Sequence, residues 1–206
     1  MALFITFEGG EGSGKTLQAR LLYRKLTKLA IPAVLTQEPG GTTLSRKLAR
    51  LLKWPDDSGI SPLTELLMFN ASRAQLIDEL ILPNLKDGKM VICDRYADST
   101  TAYQSYGRGL DLEMVRAINN TATRGLTADL TVLMDIPTEE GFARKRGSKH
   151  DRFEQEDLDF HRRVREGYLK MAASEPERWL VIDAGQPKDK IKEIIWQRVS
   201  QLLETR

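Results

Sequence analysis

Leu3-Phe4-Ile5-Thr6-Phe7-Glu8-Gly9-Gly10-Glu11-Gly12-Ser13-Gly14-Lys15-Thr16 opens on a short apolar run and passes through four glycines to a lysine and a hydroxyl. Beyond it, Leu17, Leu21, Leu22, Leu26 and Leu29 recur at helical spacing. The stretch therefore reads as strand, glycine loop, helix. The same rhythm continues outward. Ala33 to Thr36, Met90 to Cys93, Leu130 to Met134 and Trp179 to Ile182 read as four further strands, all short enough to be buried. Helical spacing separates them, as at Leu44, Leu48, Leu51 and Leu52 and over 111–123, 155–173 and 188–203. Ser61-Pro62 reads as an N-cap with proline at the first helical position, opening a long helix that Pro83 should kink or end. Strands that alternate with helices need right-handed crossovers, so the expected class is α/β: a five-stranded parallel sheet flanked by helices in three layers.

The 206 residues suit a single domain spanning 1–206, since no linker, repeat or low-complexity tract marks a boundary. Lys and Arg number 31 against 29 Asp and Glu, so no global field draws the chain to nucleic acid or anionic lipid. Any basic site must be local. One cysteine, Cys93, excludes an internal disulfide framework and a Cys-rich zinc site, and it reads as strand core. No apolar stretch approaches the roughly 18 residues needed to span a bilayer. A reducing, cytoplasmic setting is expected, with no membrane and no nucleic acid as partner.

Gly9 to Thr16 fits G-x-x-x-x-G-K-[ST] in the strand-to-helix context that pattern requires, so the fold expected is that of P-loop NTPases. Backbone N–H groups of Gly9, Gly10, Gly12, Ser13 and Gly14 would curl around a phosphate at a helix N-terminus. Lys15 would reach the β- and γ-phosphates of ATP, and Thr16 would place its hydroxyl on Mg²⁺. Two strands end in an acid, Asp94 and Asp135. Asp94 is the stronger choice for holding the ion, because Arg95 emerges beside it at the ligand-binding edge of the sheet; Asp135 reads as an N-cap of the following helix.

A phosphate loop does not choose among GTPases, motors, transporters and kinases. No [NT]-K-x-D guanine-reading motif is present, and the D-x-x-G at 56–59 lies in a loop. Arg144-Lys145-Arg146-Gly147-Ser148-Lys149-His150-Asp151-Arg152 brings five cations in nine residues. Such a stretch reads as a mobile lid over about 141–153 that lends arginines to phosphoryl transfer, or as a solvated basic loop.

At this point the chain resembles thymidylate kinases of the bacterial type, end to end. Phe7 to Thr16 resembles that family's phosphate loop, Glu38-Pro39-Gly40-Gly41-Thr42 its second-strand loop, Asp94-Arg95-Tyr96 its D-R-Y/H signature, and Asp151-Arg152-Phe153-Glu154 the end of its lid. The resemblance implies phosphorylation of dTMP by ATP with Mg²⁺, and a homodimer. It implies Lys15, Arg95, Arg144, Arg146, Arg152 and Glu11 as catalytic residues, and Gln186, in Ala184-Gly185-Gln186-Pro187, at the adenine. For dTMP it implies Glu11, Glu38, Phe69, Arg73, Arg95, Ser99, Thr100, Tyr103, Gln104 and Tyr168. Phe69 would stack on thymine while Arg73 donates to O4, and Tyr103 would pack beside the sugar. Without the resemblance, Phe69 reads as core, Arg73 as surface, Arg95 as a partner of Asp94, Glu11 as solvent-exposed and Tyr168 as helix packing. Two departures stand out: Gln37 and Ala49 occupy positions that usually carry arginine, and Arg46 or Arg50 is the expected substitute. The alternatives are a kinase for another pyrimidine monophosphate such as dUMP, and a P-loop module that binds ATP without transferring phosphate.

Overall fold

The computed structural model describes residues 2–54, 59–145 and 151–205. β1 (Phe4–Glu8) and β3 (Met90–Asp94) are buried throughout, and β4 (Leu130–Asp135) nearly so. With β2 (Ala33–Gln37) and β5 (Trp179–Asp183) they form one sheet in the order β2-β3-β1-β4-β5, every neighbouring pair parallel. β2 and β5 lie at the edges and are only partly buried, which corrects the expectation of five buried strands.

Alternation along the strands feeds both faces. Leu3, Ile5 and Phe7 pack with Leu22 and Leu26 of α1 (Lys15–Lys28) and Ile191, Ile195 and Val199 of α9 (Lys188–Glu204). Phe4 and Val91 point the other way, toward Leu76, Ile77 and Ile81. Leu17 of α1 and Leu29 at its C-terminal cap are half exposed, as are Leu44 and Leu51 of α2 (Thr43–Lys53), so those leucines mark helices without all marking core.

Ser61 caps α3 (Pro62–Leu76) through its hydroxyl, 3.3 Å from the Thr64 N–H. The helix then widens into a π-helical segment, Ile77–Ile81, and continues as α4 (Leu82–Lys86). Pro83 therefore neither ends nor breaks it; a wider turn stands where a regular ladder would need the missing proline N–H. After β3 come α5 (Ala97–Thr100), a second π-helical segment at Thr101–Gly107 and α6 (Leu112–Thr123). After β4 come α7 (Thr138–Arg144) and α8 (Leu158–Ser174). Asp135 does not cap α7, which Pro137 precedes; its carboxylate instead takes both ends of the Arg165 fork, at 2.7 and 2.9 Å.

Candidate active site

The first strand delivers Glu8 to the carboxyl edge of the sheet, and the glycine loop turns from there into α1. Gly14, at φ 84°, occupies the left-handed region that glycine enters freely, and it directs Lys15 into a cavity of about 480 Å³. The lysine Nζ donates to the Gly10 carbonyl at 3.1 Å. Burial, together with the neighbouring Arg95, lowers its pKa to about 8. The Thr16 hydroxyl donates to Asp94 Oδ2, while Asp94 Oδ1 is buried with no hydrogen-bond partner among the described residues. A hydroxyl whose proton is already placed, beside a carboxylate oxygen with spare capacity, is a hard-oxygen donor set suited to Mg²⁺.

Arg95 stands at the end of β3 with φ 71°, an uncommon angle for an arginine, which turns its side chain back over the sheet edge. Its guanidinium meets Glu11 at 2.9 Å, Ser99 at 3.1 Å, Tyr103 at 3.2 Å and Tyr168 at 3.3 Å, and does not pair with Asp94. Behind it lies Glu8, which accepts from the Tyr96 N–H at 2.7 Å, Ser99 at 2.5 Å and Tyr168 at 2.9 Å. Burial, reinforced by nearby Asp98, raises the Glu8 carboxyl to about 7. Glu11 behaves oppositely: burial alone would raise it, but Lys15, Arg95 and Lys145 hold it well below the usual carboxylate range. It is largely buried rather than solvated, bound by Arg95, by Tyr103 at 3.2 Å and by Lys145 at 2.9 Å.

Ser99, Thr100, Tyr103 and Gln104 all line the cavity. Tyr168 does not. It is 1% exposed, and its hydroxyl supports Arg95, Ser99 and Glu8 from behind.

α3 brings Phe69 and Arg73 to the cavity, four residues apart on one face. Arg73 is 1% exposed, not a surface residue. Its five N–H groups meet Glu38 at 2.8 Å, Asn70 at 3.1 Å, Asn119 at 3.0 Å, the Tyr96 carbonyl at 3.1 Å and Thr100 at 2.5 Å. A base that takes a hydrogen bond from it must share or displace one of these acceptors. Burial raises the Glu38 carboxyl to about 7 even with Arg73 beside it. The ring of Phe69 lies 5.6 Å from that of Phe153.

α7 rests directly on the phosphate loop. A Cβ on Gly12 would lie 1.9 Å from the Gly141 carbonyl oxygen, and one on Gly141 would lie 2.2 Å from that of Glu11. From α7, Arg144 reaches the Ala184 carbonyl at 2.9 Å, and Lys145 bridges Glu11 and Glu154. Arg152, expected at the phosphates, is held by other partners here. It is outside the cavity lining, donating to the Leu52 carbonyl at 3.1 Å and to Glu65 at 2.5 Å, because a buried acid captures it. Arg146, like 147–150 of the expected lid, lies outside the described residues. Gln186 does not line the cavity, and its amide donates back to the Asp183 carbonyl at 3.4 Å. Gly12 and Gly14 face the cavity; Gly9, Gly10 and Ser13 form the loop behind it.

Arg46 and Arg50, the expected substitutes for the charge missing at Gln37 and Ala49, are exposed and do not line the cavity. Lys53, one turn beyond Ala49, does line it, with Nζ 3.5 Å from Asp151. Sequence reasoning also passed over Glu8, Glu65 and Phe153. Glu65 carried a usable signal, since it continues the i, i+4 series of Phe69 and Arg73 backward by one turn.

Sheet order, phosphate loop and shared cavity define a nucleotide-binding α/β protein of the P-loop class. The sequence pattern of the family described as "Thymidylate kinase" matches residues 7–195, and the chain belongs to the thymidylate kinase family, a family of enzymes. It is 54% identical over 206 residues to a thymidylate kinase of Dehalococcoides mccartyi strain CBDB1, covering 100% of this chain and 99% of that one. A thymidylate kinase of Pelobacter propionicus is 46% identical over 213 residues, covering 100% of this chain and 96% of the relative. The crystal structure of thymidylate kinase from Ehrlichia chaffeensis superposes with a TM-score of 0.74 at 37% identity, covering 88% of this chain and 92% of the other.

Proposed function

We propose that the protein transfers the γ-phosphoryl group of ATP to the 5′-phosphate of dTMP, giving dTDP and ADP. One observation carries this reading: a single cavity is lined both by the phosphate loop, at Lys15 and Thr16, and by a ring-and-amide compartment, at Phe69, Tyr103 and Gln104, with Arg95 between them.

The acceptor phosphate is a dianion near neutral pH, so an oxygen of it attacks the γ-phosphorus without a general base. The bond to the β-bridging oxygen breaks, and its electrons leave with ADP. ATP, monophosphate and Mg²⁺ together bring roughly −4 into the cleft, so alignment and charge neutralisation are the protein's main tasks. Lys15 supports the β- and γ-phosphates. Arg95 clamps the acceptor phosphate, and Glu11, Ser99 and Tyr103 hold its fork in place. Arg144 and Lys145 carry positive charge from α7 toward the transferring group. Phe69 stacks on the pyrimidine, Gln104 and Arg73 read its edge, and the Tyr103 ring packs beside C2′, where a ribose hydroxyl would collide. Glu38 anchors Arg73. Thr16, with Asp94 through water, would hold Mg²⁺, which neutralises the β- and γ-phosphates when bound.

The same reading makes residues 1–206 one domain with a lid over about 141–153, working in the cytoplasm. No helix among the described residues is long and apolar enough to cross a membrane. Leu44 and Leu51 on α2 and Leu63 and Leu67 on α3 are half exposed on packed neighbouring helices, and they support a homodimer through that face.

A panel of nucleoside monophosphates in a coupled ADP assay tests the proposal. Thymidylate should give the highest kcat/KM. A preference for dUMP would reassign the substrate, and ADP formation that ignores every acceptor would replace the transferase with an ATP-binding module.

A further inference from the structure

Glu65 is a fully buried acid on α3 that takes no place in the reaction above. Its carboxylate gathers three side chains from separate parts of the chain. Oε1 accepts from Gln104 Nε2 at 2.7 Å and from Arg108 Nε at 3.2 Å; Oε2 accepts from Arg108 at 3.3 Å and from Arg152 at 2.5 Å. A carboxylate only accepts, so it decides which end of the Gln104 amide faces it: the amino end must turn to Glu65, leaving the carbonyl for the cavity that Gln104 lines. The carbonyl oxygen of the Gln104 amide makes no hydrogen bond among the described residues. The two arginines run the other way, toward the end of the lid. Arg108 also binds Glu156 at 2.6 Å, and Arg152 precedes Phe153, whose ring abuts Phe69.

We propose that Glu65 is a positioning residue that fixes the Gln104 amide with its carbonyl toward the base and ties that orientation to the seating of residues 151–156. The inference rests on the thymidylate reading. An acceptor fixed toward the pyrimidine suits thymine, whose N3 carries a proton, and opposes cytosine, whose N3 is itself an acceptor. Base choice and lid seating then share one carboxylate, because the groups that serve each compete for the same two oxygens.

The test compares thymidylate with deoxycytidylate as acceptors for the wild type, E65Q, R108Q, Q104A and the Q104A/E65Q and Q104A/R108Q pairs. Melting curves establish that each is folded. A glutamine at 65 can offer either end to Gln104, so the Gln104 amide is free to turn its N–H toward the base. E65Q should lower the ratio of thymidylate to deoxycytidylate kcat/KM by about tenfold, the scale of one buried polar group mispaired, with the acceptor KM changing more than kcat. R108Q should move the ratio the same way by about threefold, and neither change should lower the ratio further once Gln104 is alanine. A folded E65Q that keeps the ratio, or that loses both acceptors alike, overturns the proposal, as does a loss that adds to that of Q104A. Should E65Q not fold, R108Q with its Gln104 pair decides by the same criteria. A wild type that fails to phosphorylate thymidylate refutes the underlying reading instead, which separates the two failures.

Discussion

Arg95 and Glu11 face each other across the mouth of the phosphate loop, Nη2 2.9 Å from Oε1, although they are separated by most of the first two crossovers. The pair places a carboxylate among Lys15, Arg95 and Lys145. Because the Arg95 fork also serves Ser99 and Tyr103, its shape matters as well as its charge. R95A should lower kcat/KM for thymidylate by about 100-fold, the scale of a lost charge-assisted fork, with little change in the KM for ATP. R95K should recover no more than about tenfold of that. Steady-state kinetics at saturating ATP measure both; a fully active R95K would mean that the fork is not used.

Burial and Arg95 disfavour the charge of Lys15 and lower its pKa to about 8. ATP phosphates favour the ammonium and must raise that value on binding. The sign follows: binding should take up a proton above pH 8, and almost none near pH 6.5, where the lysine is already charged. Calorimetric titrations in buffers of different ionisation enthalpy count the protons, and K15A should abolish the uptake along with nearly all kcat.

Lys53, rather than Arg46 or Arg50, lines the cavity near the position left neutral by Ala49. K53A should raise the KM for thymidylate about two- to fivefold, the range for a partly exposed charge, and high salt should shrink the difference. R46A and R50A should leave it unchanged. Equal effects from all three would locate the missing charge in the general field of α2.

Gly141 lets α7 lie on the phosphate loop, with a Cβ there only 2.2 Å from a backbone oxygen of Glu11. G141A should reduce kcat at least tenfold and destabilise the fold by about 1–3 kcal/mol, as overpacking against backbone does. G59A, where an added Cβ meets nothing within 4 Å, is the matched control. Parallel melting and rate measurements decide, and a G141A with native kcat would show that the loop and α7 tolerate separation.

Glu8 and Glu38 both have carboxyl pKa values raised to about 7, in each case first by burial. Between about 4.5 and 7 the folded chain therefore holds protons that the unfolded chain has released. Their contribution makes stability fall as pH rises through that window, by up to ~1.4 kcal/mol per pH unit for each group. E8Q should remove one share of the slope in denaturant titrations at pH 5, 6 and 7; an unchanged slope would show that Glu8 is charged throughout.

Five strands, the glycine loop and the capped start of α3 were readable in the chain because each is a local pattern: alternating burial, a fixed spacing of glycines before Lys15-Thr16, and Ser61 ahead of Pro62. Period and spacing identify an element by its own residues. They do not say which neighbours its side chains meet. Leu17, Leu29, Leu44 and Leu51 fit their helices and yet remain half exposed, and Pro83 sits inside a helix that its local chemistry argues against.

The amino-acid order alone determined the α/β class and the phosphate loop, since those depend on residue types at short separations, whereas the residues expected around the acceptor came from the family resemblance. Only the tertiary structure decided that Arg152 donates to Glu65, that Tyr168 stands behind Arg95, that Arg73 meets five acceptors, and that Lys53 lines the cavity. Each of those outcomes is a competition among distant charged and polar groups for a limited number of buried partners, and such a competition is settled by which groups the packed sheet and helices bring within hydrogen-bonding reach.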